Sequence, residues 1–329
     1  MRAVTIREFG SPSGLEVVEL PSPEPTIGQV LIRTEAVAVG GVDVAIRRGL
    51  LGSSMAPGIV AGSEVAGVVT AVGATVDPRW IGRRVWAFTG TSGGYAEEAV
   101  ARIEDLTTLP DELSAVDAVT LGSAATVAHF ALAHAHLTAG ESVLVRGAAG
   151  SIGIATVELA ARAGAGAIAV TSSSPERGAR LRALGATHLL DRRGHGDIDA
   201  PMLYDVIIDI VGGADLPAFL DRLAANGRLI MVGAVAGYPP ADFGAPLLRA
   251  FQQSRSFATF SLATVPVTER NTTRSRLLES AVRNELTPLV HAVLPLTQAA
   301  EAHRLMDEGA VLGRIVLDPL AGRSPGGVD

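Results

Sequence analysis

The sequence predicts an α/β protein in which a doubly wound parallel sheet is inserted into a β-rich domain formed by both chain ends. Residues 141–164 run from a valine-rich segment through a glycine loop into an alanine-rich helix. Further on, near-continuous apolar runs such as VIIDIV and LIMV are typical of strands buried on both faces of a parallel sheet. We therefore expect strands and helices to alternate from about residue 122.

The β-rich assignment depends on the two ends of the chain. Short apolar runs separated by Pro and Gly predict strands at residues 30–32, 59–69 and 84–88. After Ser261 the alternation stops, and the tail predicts a helix at 274–283, an apolar run at 290–296, a helix at 298–308 and a strand at 314–317. The domains are accordingly 1–121, 122–260 and, returning to the first domain, 261–329. The last residues, AGRSPGGVD, are expected to be disordered.

The middle domain is predicted to hold six strands. They lie at residues 143–145, 167–170, 188–190, 206–210, 228–232 and 257–262, with helices between them at 175–184 and 217–225 among others. Ligands of such sheets bind beyond the carboxyl ends of the strands. The residues just past two strands, 209–213 with Val211, and Gly233 with Ala234, are therefore expected to line a cofactor cleft.

The glycine loop has the pattern of a dinucleotide-binding turn. Ala148, Gly150 and Gly153 occupy the three positions of a G-x-G-x-x-G fingerprint. At Gly150 the missing Cβ lets a diphosphate approach the backbone, and at Gly153 it lets the helix pack on the strand. Phosphates would then bind the backbone of this turn, which comprises Ala149, Gly150, Ser151, Ile152 and Gly153. A tight strand-to-helix turn without a ligand is the alternative.

The end of the next strand favours NADPH over NADH. An NAD site usually carries an acid about 20 residues after the fingerprint, to accept from the ribose 2′-hydroxyl. Here the strand ends in Thr171, Ser172, Ser173 and Ser174, and the first acid is Glu176. Hydroxyls followed by Arg177 and Arg180 suit a 2′-phosphate because they donate hydrogen bonds to it. The serines can also cap a helix that begins at Pro175, and both interpretations can hold together.

Composition excludes several classes of function. The formal charge of −7 and an aromatic content of 4% argue against nucleic acid or an anionic membrane as partner. The 329 residues include no Cys and no Lys, which excludes disulfides, thiolate metal sites and Schiff-base chemistry. The first residues do not resemble a signal peptide, so a cytoplasmic protein is expected. Residues 118–140 are long enough to span a bilayer, but a buried helix joining two domains is the favoured interpretation.

Several segments, in order over almost the whole chain, resemble the zinc-independent quinone oxidoreductase (ζ-crystallin-like) branch of the medium-chain dehydrogenase/reductase superfamily. They are PSPEPTIGQVLIRTEAVAVGGVDVAIRRG, GSEVAGVVTAVG, GGYAEEAV, VLVRGAAGSIG, ALGATHLLD, NGRLIMVG and PLTQAAEAHRLMDEGAVLGRIVL. The resemblance implies a GroES-like substrate domain, an inserted Rossmann domain that binds NADPH, a substrate cleft between them and a homodimer. It further implies hydride transfer to a small electrophile, a quinone or an α,β-unsaturated carbonyl.

The resemblance also implies roles for individual residues. Gly150, Gly153, Ser172, Ser173 and Arg177 would hold the phosphates and the adenosine ribose. The nicotinamide would be approached by Gly233 and by the consecutive residues Phe260, Ser261 and Leu262, while Arg314 would reach the cofactor from the returning tail. The zinc-dependent relatives need a Cys-rich lobe and a catalytic Cys. Both are missing here, so no metal is expected and ordinary alcohol dehydrogenation is disfavoured.

Two departures from the family leave the substrate open. Gly40 replaces an Asn and Ala45 replaces a common Tyr, whereas Asp43 and Arg47 remain. The loss of two polar groups predicts a wider, more apolar pocket. It is also what a lapsed active site would show, so a non-catalytic NADPH-binding sensor or crystallin-like protein is the alternative from another class. Within the enzymes, an enoyl-thioester or specialised natural-product reductase is the second candidate.

No catalytic triad is evident, and hydride transfer needs mainly orientation and exclusion of water. The candidates for substrate positioning or proton supply are Asp43 and His129. The alternatives are that Asp43 caps a turn and that His129 is a packed or solvated side chain. His134 and His136, two residues apart, would lie on different faces of a helix and not share a metal.

Overall fold

Residues 1–50 and 55–322 are described by the structure, which is a computed structural model. The chain divides into two compact units. Unit 1 comprises Met1–Ser123 and Val267–Asp329, and unit 2 comprises Ala124–Pro266. The segment after residue 266 thus belongs to the same unit as the start of the chain. The boundaries between the units, after residues 123 and 266, lie close to those predicted, after residues 121 and 260. Most of the tail expected to be disordered, residues 323–329, lies outside the described residues.

In chain order the strands are β1 (Arg2–Ile6), β2 (Leu15–Glu19), β3 (Gln29–Val39), β4 (Ile59–Val60), β5 (Glu64–Val72), β6 (Arg84–Phe88), β7 (Glu98–Arg102), β8 (Leu106–Thr108), β9 (Ser142–Arg146), β10 (Ala167–Thr171), β11 (His188–Leu190), β12 (Tyr204–Asp209), β13 (Leu223–Met231), β14 (Ser256–Thr259), β15 (Val290–Pro295) and β16 (Arg314–Asp318). The helices are α1 (Gly41–Arg47), α2 (Ala115–His134), α3 (Ser151–Arg162), α4 (Pro175–Ala183), α5 (Leu216–Leu220), α6 (Ala245–Arg249), α7 (Val267–Val282) and α8 (Ala299–Asp307).

Unit 1 is built on a sheet to which both chain ends contribute. Its strand order is β15-β16-β3-β5-β6-β8, β7 also pairs with β3, and a smaller sheet has the order β2-β1-β4. The antiparallel register of β16 on β3 sets Ile315 opposite Val39. This register brings Arg314 to the end of β3, where Gly40 and α1 begin. Aliphatic side chains such as Val30, Ile32 and Val65 fill the core.

Unit 2 is a parallel sheet with the order β11-β10-β9-β12-β13-β14. This is the Rossmann order, in which the chain reverses direction across the sheet between its first and fourth strands. Val143, Leu144 and Val145 on β9, like Ile207 and Ile208 on β12, are fully buried. The predicted doubly wound parallel sheet is confirmed, and its switch point lies between β9 and β12.

Several predicted elements have different bounds in the structure; the helix predicted at 274–283, for example, is Val267–Val282. Three further elements also differ. The run 59–69 is two strands, because Gly62 has φ +90° and a Cβ there would meet the Tyr95 ring at 2.1 Å. The helix predicted at 217–225 ends at Leu220, since the buried Leu223 is extended and pairs with Tyr204. The last strand of unit 2 ends at Thr259, so the strand predicted over 257–262 was too long.

Helix α2 contains the boundary between the two units, which falls after Ser123. By length and composition it could cross a membrane, but 67% of its apolar window is buried within the structure. Core helices of soluble proteins meet the same criterion. The expectation of a buried or half-buried helix is therefore confirmed, with the bounds Ala115–His134 in place of 118–140.

Candidate functional site

The glycine loop of unit 2 presents an open helix N-terminus. Strand β9 ends at Arg146, and α3 begins at Ser151 after Gly150 in the N-cap position. Because Gly150 has no side chain and the first turn of α3 carries no acid, the free N–H groups of that turn and the positive end of the helix dipole remain available. An anion such as a diphosphate is the ligand that this arrangement favours.

The two glycines have the distinct roles that the fingerprint predicts. A Cβ at Gly153 would lie 2.5 Å from Cα of Ala148, so only glycine allows this contact between α3 and the loop. A Cβ at Gly150 would meet only the carbonyl oxygen of Gly147, at 3.9 Å. The space above Gly150 is therefore not filled by this unit, and the loop fits the diphosphate of a dinucleotide.

The turn itself depends on a glycine outside the fingerprint. Gly147 has φ +88°, whereas Ala148, in the first fingerprint position, is buried. A Cβ at Gly147 would contact Val211 at 3.0 Å, so this residue also allows the loops after β9 and β12 to approach each other. A glycine directly after an apolar strand was the sequence signal for this role.

At the end of β10 the serines both cap a helix and form a hydroxyl cluster. Ser174 is the N-cap of α4, and its Oγ accepts from the Arg177 N–H at 3.3 Å. The Arg177 guanidinium donates to the Ser173 hydroxyl at 3.0 Å, and the Ser172 hydroxyl donates to the Ser174 carbonyl at 3.0 Å. The structure thus brings together Ser172, Ser173 and Arg177. The capping interpretation is confirmed, and phosphate binding by this cluster remains a prediction.

A buried ion pair at the switch point was not found by sequence reasoning. The Arg146 guanidinium lies 2.8 Å from the Asp209 carboxylate and also donates to the Gly212 carbonyl at 2.9 Å. The other Asp209 oxygen accepts from the N–H groups of Val211 and Gly212 at 2.7 and 3.0 Å. The pair therefore shapes the loop after β12 that was predicted to line the cofactor cleft.

The loops after β13 and β14 lie at the same edge of the sheet. A Cβ at Gly233 would meet the Ile210 carbonyl at 2.8 Å, so the loops after β12 and β13 pack closely. Phe260 follows β14, donates its N–H to the Met231 carbonyl at 3.0 Å and sets its ring 5.8 Å from that of His134. Ala234, Ser261 and Leu262 lie in the same loops, and their proximity to the nicotinamide remains a prediction.

Asp43 is a buried carboxylate at the start of α1 in unit 1. It accepts from the Gly40 N–H at 2.7 Å and from the Ser63 hydroxyl at 2.8 Å. Burial raises its pKa to about 6, against the lowering effects of these hydrogen bonds and of the Arg314 charge. The capping interpretation of Asp43 is confirmed by the bond to Gly40, and its role toward a substrate remains a prediction.

Arg314 is held by unit 1 itself. Its guanidinium donates to the Val39 carbonyl at 3.3 Å and to the buried Glu64 carboxylate at 3.2 Å. A Cβ at Gly40 would lie 3.0 Å from this guanidinium. Gly40 therefore faces charged groups, and the wider, more apolar substrate pocket expected from its replacement remains a prediction. That Arg314 reaches the cofactor remains a prediction.

Glu64 also organises its surroundings beyond Arg314. Its Oε1 accepts from the Trp86 indole N–H at 2.6 Å and from the Ser123 N–H at 2.9 Å. The Arg274 guanidinium stacks 3.8 Å from the Trp86 ring. Burial lowers the pKa of Arg274 to about 10. Sequence reasoning did not single out Glu64, because an acid at a strand start gives no sign of its distant partners.

Tyr95 and Arg47 belong to a buried network around His303. The Tyr95 hydroxyl lies 2.9 Å from Nε2 of His303, and the Arg47 guanidinium donates to Nδ1 of His303 at 3.4 Å. Arg47 also forms a bidentate pair with Asp307, at 2.7 and 2.8 Å. Burial, followed by the Arg47 charge, lowers the pKa of His303 to about 3. Through these contacts α1 is tied to α8 of the returning tail.

The remaining histidines show no shared site. His129 is exposed on α2, with its ring 5.1 Å from that of Phe130, and its role toward a substrate remains a prediction. His134, His136 and His195 are exposed. Within residues 1–50 and 55–322, no group of three or more His, Asp or Glu side chains is placed to hold a metal ion.

Comparisons with known proteins agree with this architecture. The chain matches the alcohol dehydrogenase GroES-like domain over residues 26–111 and a model described as zinc-binding dehydrogenase over residues 184–317. It is 32% identical to the quinone oxidoreductase of Mus musculus, over 96% of this chain and 97% of that one.

Two solved structures extend the comparison. A mycobacterial protein complexed with NADPH is 27% identical, with a TM-score of 0.86 over 97% of this chain and 100% of that one. A quinone oxidoreductase from Pseudomonas syringae pv. Tomato DC3000 is 26% identical, with a TM-score of 0.87 over 97% of this chain and 99% of that one.

Proposed function

The chain belongs to the zinc-independent quinone oxidoreductase family of the medium-chain dehydrogenase/reductase superfamily, and on that premise we propose that it is an NADPH-dependent oxidoreductase that transfers hydride to a quinone or an α,β-unsaturated carbonyl. The observation that carries the choice of cofactor is the cluster of Ser172, Ser173 and Arg177 at the end of β10, where an NAD site would carry an acid. The mycobacterial neighbour solved with NADPH supports the same choice.

Each part of unit 2 then has a function in binding. The N–H groups of Ser151, Ile152 and Gly153, with the open backbone at Ala149 and Gly150, hold the diphosphate. Ser172, Ser173 and Arg177 would donate hydrogen bonds to the 2′-phosphate. Asp209 pairs with Arg146 and accepts hydrogen bonds from the backbone of the loop that contains Val211, and so supports that loop. Gly233, Ala234, Phe260, Ser261 and Leu262 are proposed to adjoin the nicotinamide.

When bound, NADPH supplies the hydride, so the protein needs to orient the acceptor and provide for a proton. Because the pKa of Asp43 is about 6, both its protonated and its ionised form are present close to neutral pH. We propose Asp43 and His129 as the groups that position the substrate or supply the proton, and Arg314 as the residue of unit 1 directed to the cofactor. An electron-poor acceptor needs no Lewis acid, in keeping with a sequence that has no Cys.

The test measures the oxidation of NADPH in the presence of a panel of acceptors, and the change in nicotinamide absorbance reports the rate. Quinones, enones and enoyl thioesters form the three arms, and NADH replaces NADPH in a parallel series. Faster turnover of quinones or enones supports the proposal, whereas faster turnover of thioesters favours the enoyl-thioester reductase. Tight NADPH binding without turnover of any acceptor would overturn it in favour of a non-catalytic sensor.

We also propose a cytoplasmic homodimer. Strand β14 is an edge of the parallel sheet, and the segment leading into it exposes Leu248 and Phe251 by 77% and 79%. Unpaired edge strands and exposed apolar side chains favour association with a second copy. Sedimentation at several protein concentrations tests the dimer, and cell fractionation tests the compartment. A monomer throughout, or recovery with membranes, would contradict these two proposals.

A further inference from the structure

A pocket in unit 2 contains residues that the fingerprint does not predict. It has a volume of about 460 Å³ and is lined by Ser172, Ser173, Asp191, Arg192 and Arg193. The two serines were expected to contact the cofactor. The two arginines follow β11, some 20 positions further along the chain, and no sequence motif marked them.

The parallel sheet places these two groups side by side. Strands β10 and β11 are neighbours in register, with Thr171 opposite Leu190. The Ser172 N–H donates to the Leu190 carbonyl at 2.8 Å, which extends the pairing by one residue. The serines after β10 and the arginines after β11 therefore leave the same edge of the sheet together. That edge also carries the loop at the start of α3.

The segment from Asp191 to His195 holds the arginines in a tight turn. One Asp191 oxygen accepts from the N–H groups of Arg193 and His195, at 2.8 and 2.9 Å. The Asp191 N–H donates to the His195 carbonyl at 2.6 Å, and Gly194 has φ +85°. The backbone bond from His195 holds the pKa of Asp191 below its usual range. The carboxylate is thus a structural acceptor within the turn that carries the arginines.

The two guanidinium groups are exposed and available. In the described part of the chain, neither side chain has a hydrogen-bond or ion-pair partner, unlike Arg146 or Arg314, which are paired with acids. Guanidinium keeps its charge throughout the physiological pH range and matches phosphate oxygens with two parallel N–H donors. Two such groups beside two hydroxyls are a donor set for a phosphate dianion, and they exceed what the ribose hydroxyls of NADH would need.

We propose that Arg192 and Arg193 bind the phosphate ester on the adenosine ribose and, with Ser172 and Ser173, determine the preference for NADPH. The proposal rests on the proposed function, because it concerns the same cofactor. It goes beyond that function by assigning the selectivity to the turn after β11 in addition to Arg177. Asp191 is then a positioning residue that acts through the shape of this turn.

The test compares Arg192→Gln, Arg193→Gln and the double variant with wild-type protein. Arg249→Gln is the matched control, because it removes one exposed guanidinium of unit 2 that is paired with Asp221 at 3.5 Å, outside the pocket. Calorimetry with adenosine 2′,5′-bisphosphate and with ADP measures the phosphate contribution without turnover. Steady-state kinetics with NADPH and NADH measure selectivity in the working enzyme.

We expect each single substitution to raise the Kd for adenosine 2′,5′-bisphosphate roughly tenfold, as the loss of one charge-assisted hydrogen bond does. The Kd for ADP should stay within about twofold, and the NADPH-to-NADH ratio of kcat/KM should fall in parallel. The Arg249 variant should match wild type. Equal losses for both ligands, or no loss in the double variant, would overturn the proposal while leaving NADPH-dependent turnover intact. Absence of NADPH binding by the wild-type protein would instead refute the proposed function.

Discussion

The buried charged cluster around Glu64 in unit 1 and the phosphate region at the ends of β10 and β11 in unit 2 use their charges in opposite ways. In unit 1 the Glu64 carboxylate and the Arg314 guanidinium are buried and partnered with each other, with the Trp86 indole and with backbone groups. In the phosphate region of unit 2 the Arg192 and Arg193 guanidinium groups are exposed at the edge of the sheet. Buried charges must be compensated within the fold, whereas exposed charges beside a pocket can be compensated by a ligand.

This contrast predicts that substitutions at the two places affect different properties, the stability of the fold and the binding of the cofactor. Substitutions in the buried cluster should lower the free energy of unfolding, because they leave a partner without compensation. Substitutions of the exposed side chains in the phosphate region should leave the free energy of unfolding nearly unchanged and alter the affinity for the cofactor.

The largest effect is expected from Glu64→Ala. The substitution removes the acceptor of the Arg314 guanidinium, the Trp86 indole and the Ser123 N–H. Removing one partner of a buried pair costs about 3–5 kcal/mol in the free energy of unfolding. Urea unfolding followed by circular dichroism measures it. The control is Glu301→Ala, which breaks an exposed pair with Arg304 and should leave the midpoint unchanged. Equal urea midpoints for Glu64→Ala and Glu301→Ala would contradict the proposed difference between buried and exposed charges.

The two glycines of the phosphate loop form a matched pair. Gly153→Ala brings a Cβ to 2.5 Å from Ala148 and should lower the free energy of unfolding by about 1–3 kcal/mol, the usual cost of overpacking. Gly150→Ala places its Cβ in open space and should leave unfolding unchanged while weakening NADPH binding. Denaturation curves and NADPH titration of both variants check this. An unchanged free energy of unfolding for Gly153→Ala would contradict the packing role of Gly153.

The buried His303 predicts an acid dependence of stability. Its pKa is about 3 in the folded protein against 6.5 ordinarily, so the unfolded chain binds the proton first and stability is lost as pH falls below 6.5. Relative to His303→Gln, the wild-type advantage should shrink by about 1.4 kcal/mol per pH unit over this range. Urea unfolding at several pH values measures the difference.

Asp43 predicts the opposite dependence of the free energy of unfolding on pH and serves as a control. Its folded pKa of about 6 lies above the ordinary 3.8, so the folded protein binds the proton first and gains stability as pH falls through 6. Relative to Asp43→Asn, the wild-type protein should therefore gain stability on acidification. The same sign for both variants would show that at least one of these groups is not shifted as described.

The smallest effect is expected from Arg177→Glu. The change should raise the Kd for NADPH at least about tenfold and the Kd for NADH much less, because only NADPH carries the 2′-phosphate. Arg162→Glu, at the other end of α3, is the charge-matched control. Fluorescence titration with both cofactors measures the ratio. Equal losses for NADPH and NADH would remove the 2′-phosphate argument for this residue.

Much of the fold could be predicted because its signals are local. The strand at 188–190 and the helix that begins at Pro175 were predicted with those bounds, since apolar runs, a serine cap and a proline at the first helical position act within a few residues. The helix predicted at 217–225 failed at its end, because the pairing of Leu223 with Tyr204 overrides local helix preference.

By itself the sequence determined the alternation of strands and helices in unit 2, the glycine loop and the hydroxyls after β10, because steric and periodic constraints operate between near neighbours. Only the tertiary structure decided that Arg146 pairs with Asp209, that Arg314 lies beside Gly40 and that Arg192 and Arg193 share a pocket with Ser172 and Ser173. Those partners are far apart in the chain, and strand order and register bring them together. A charged side chain gives no sign in the sequence of which distant group will compensate it.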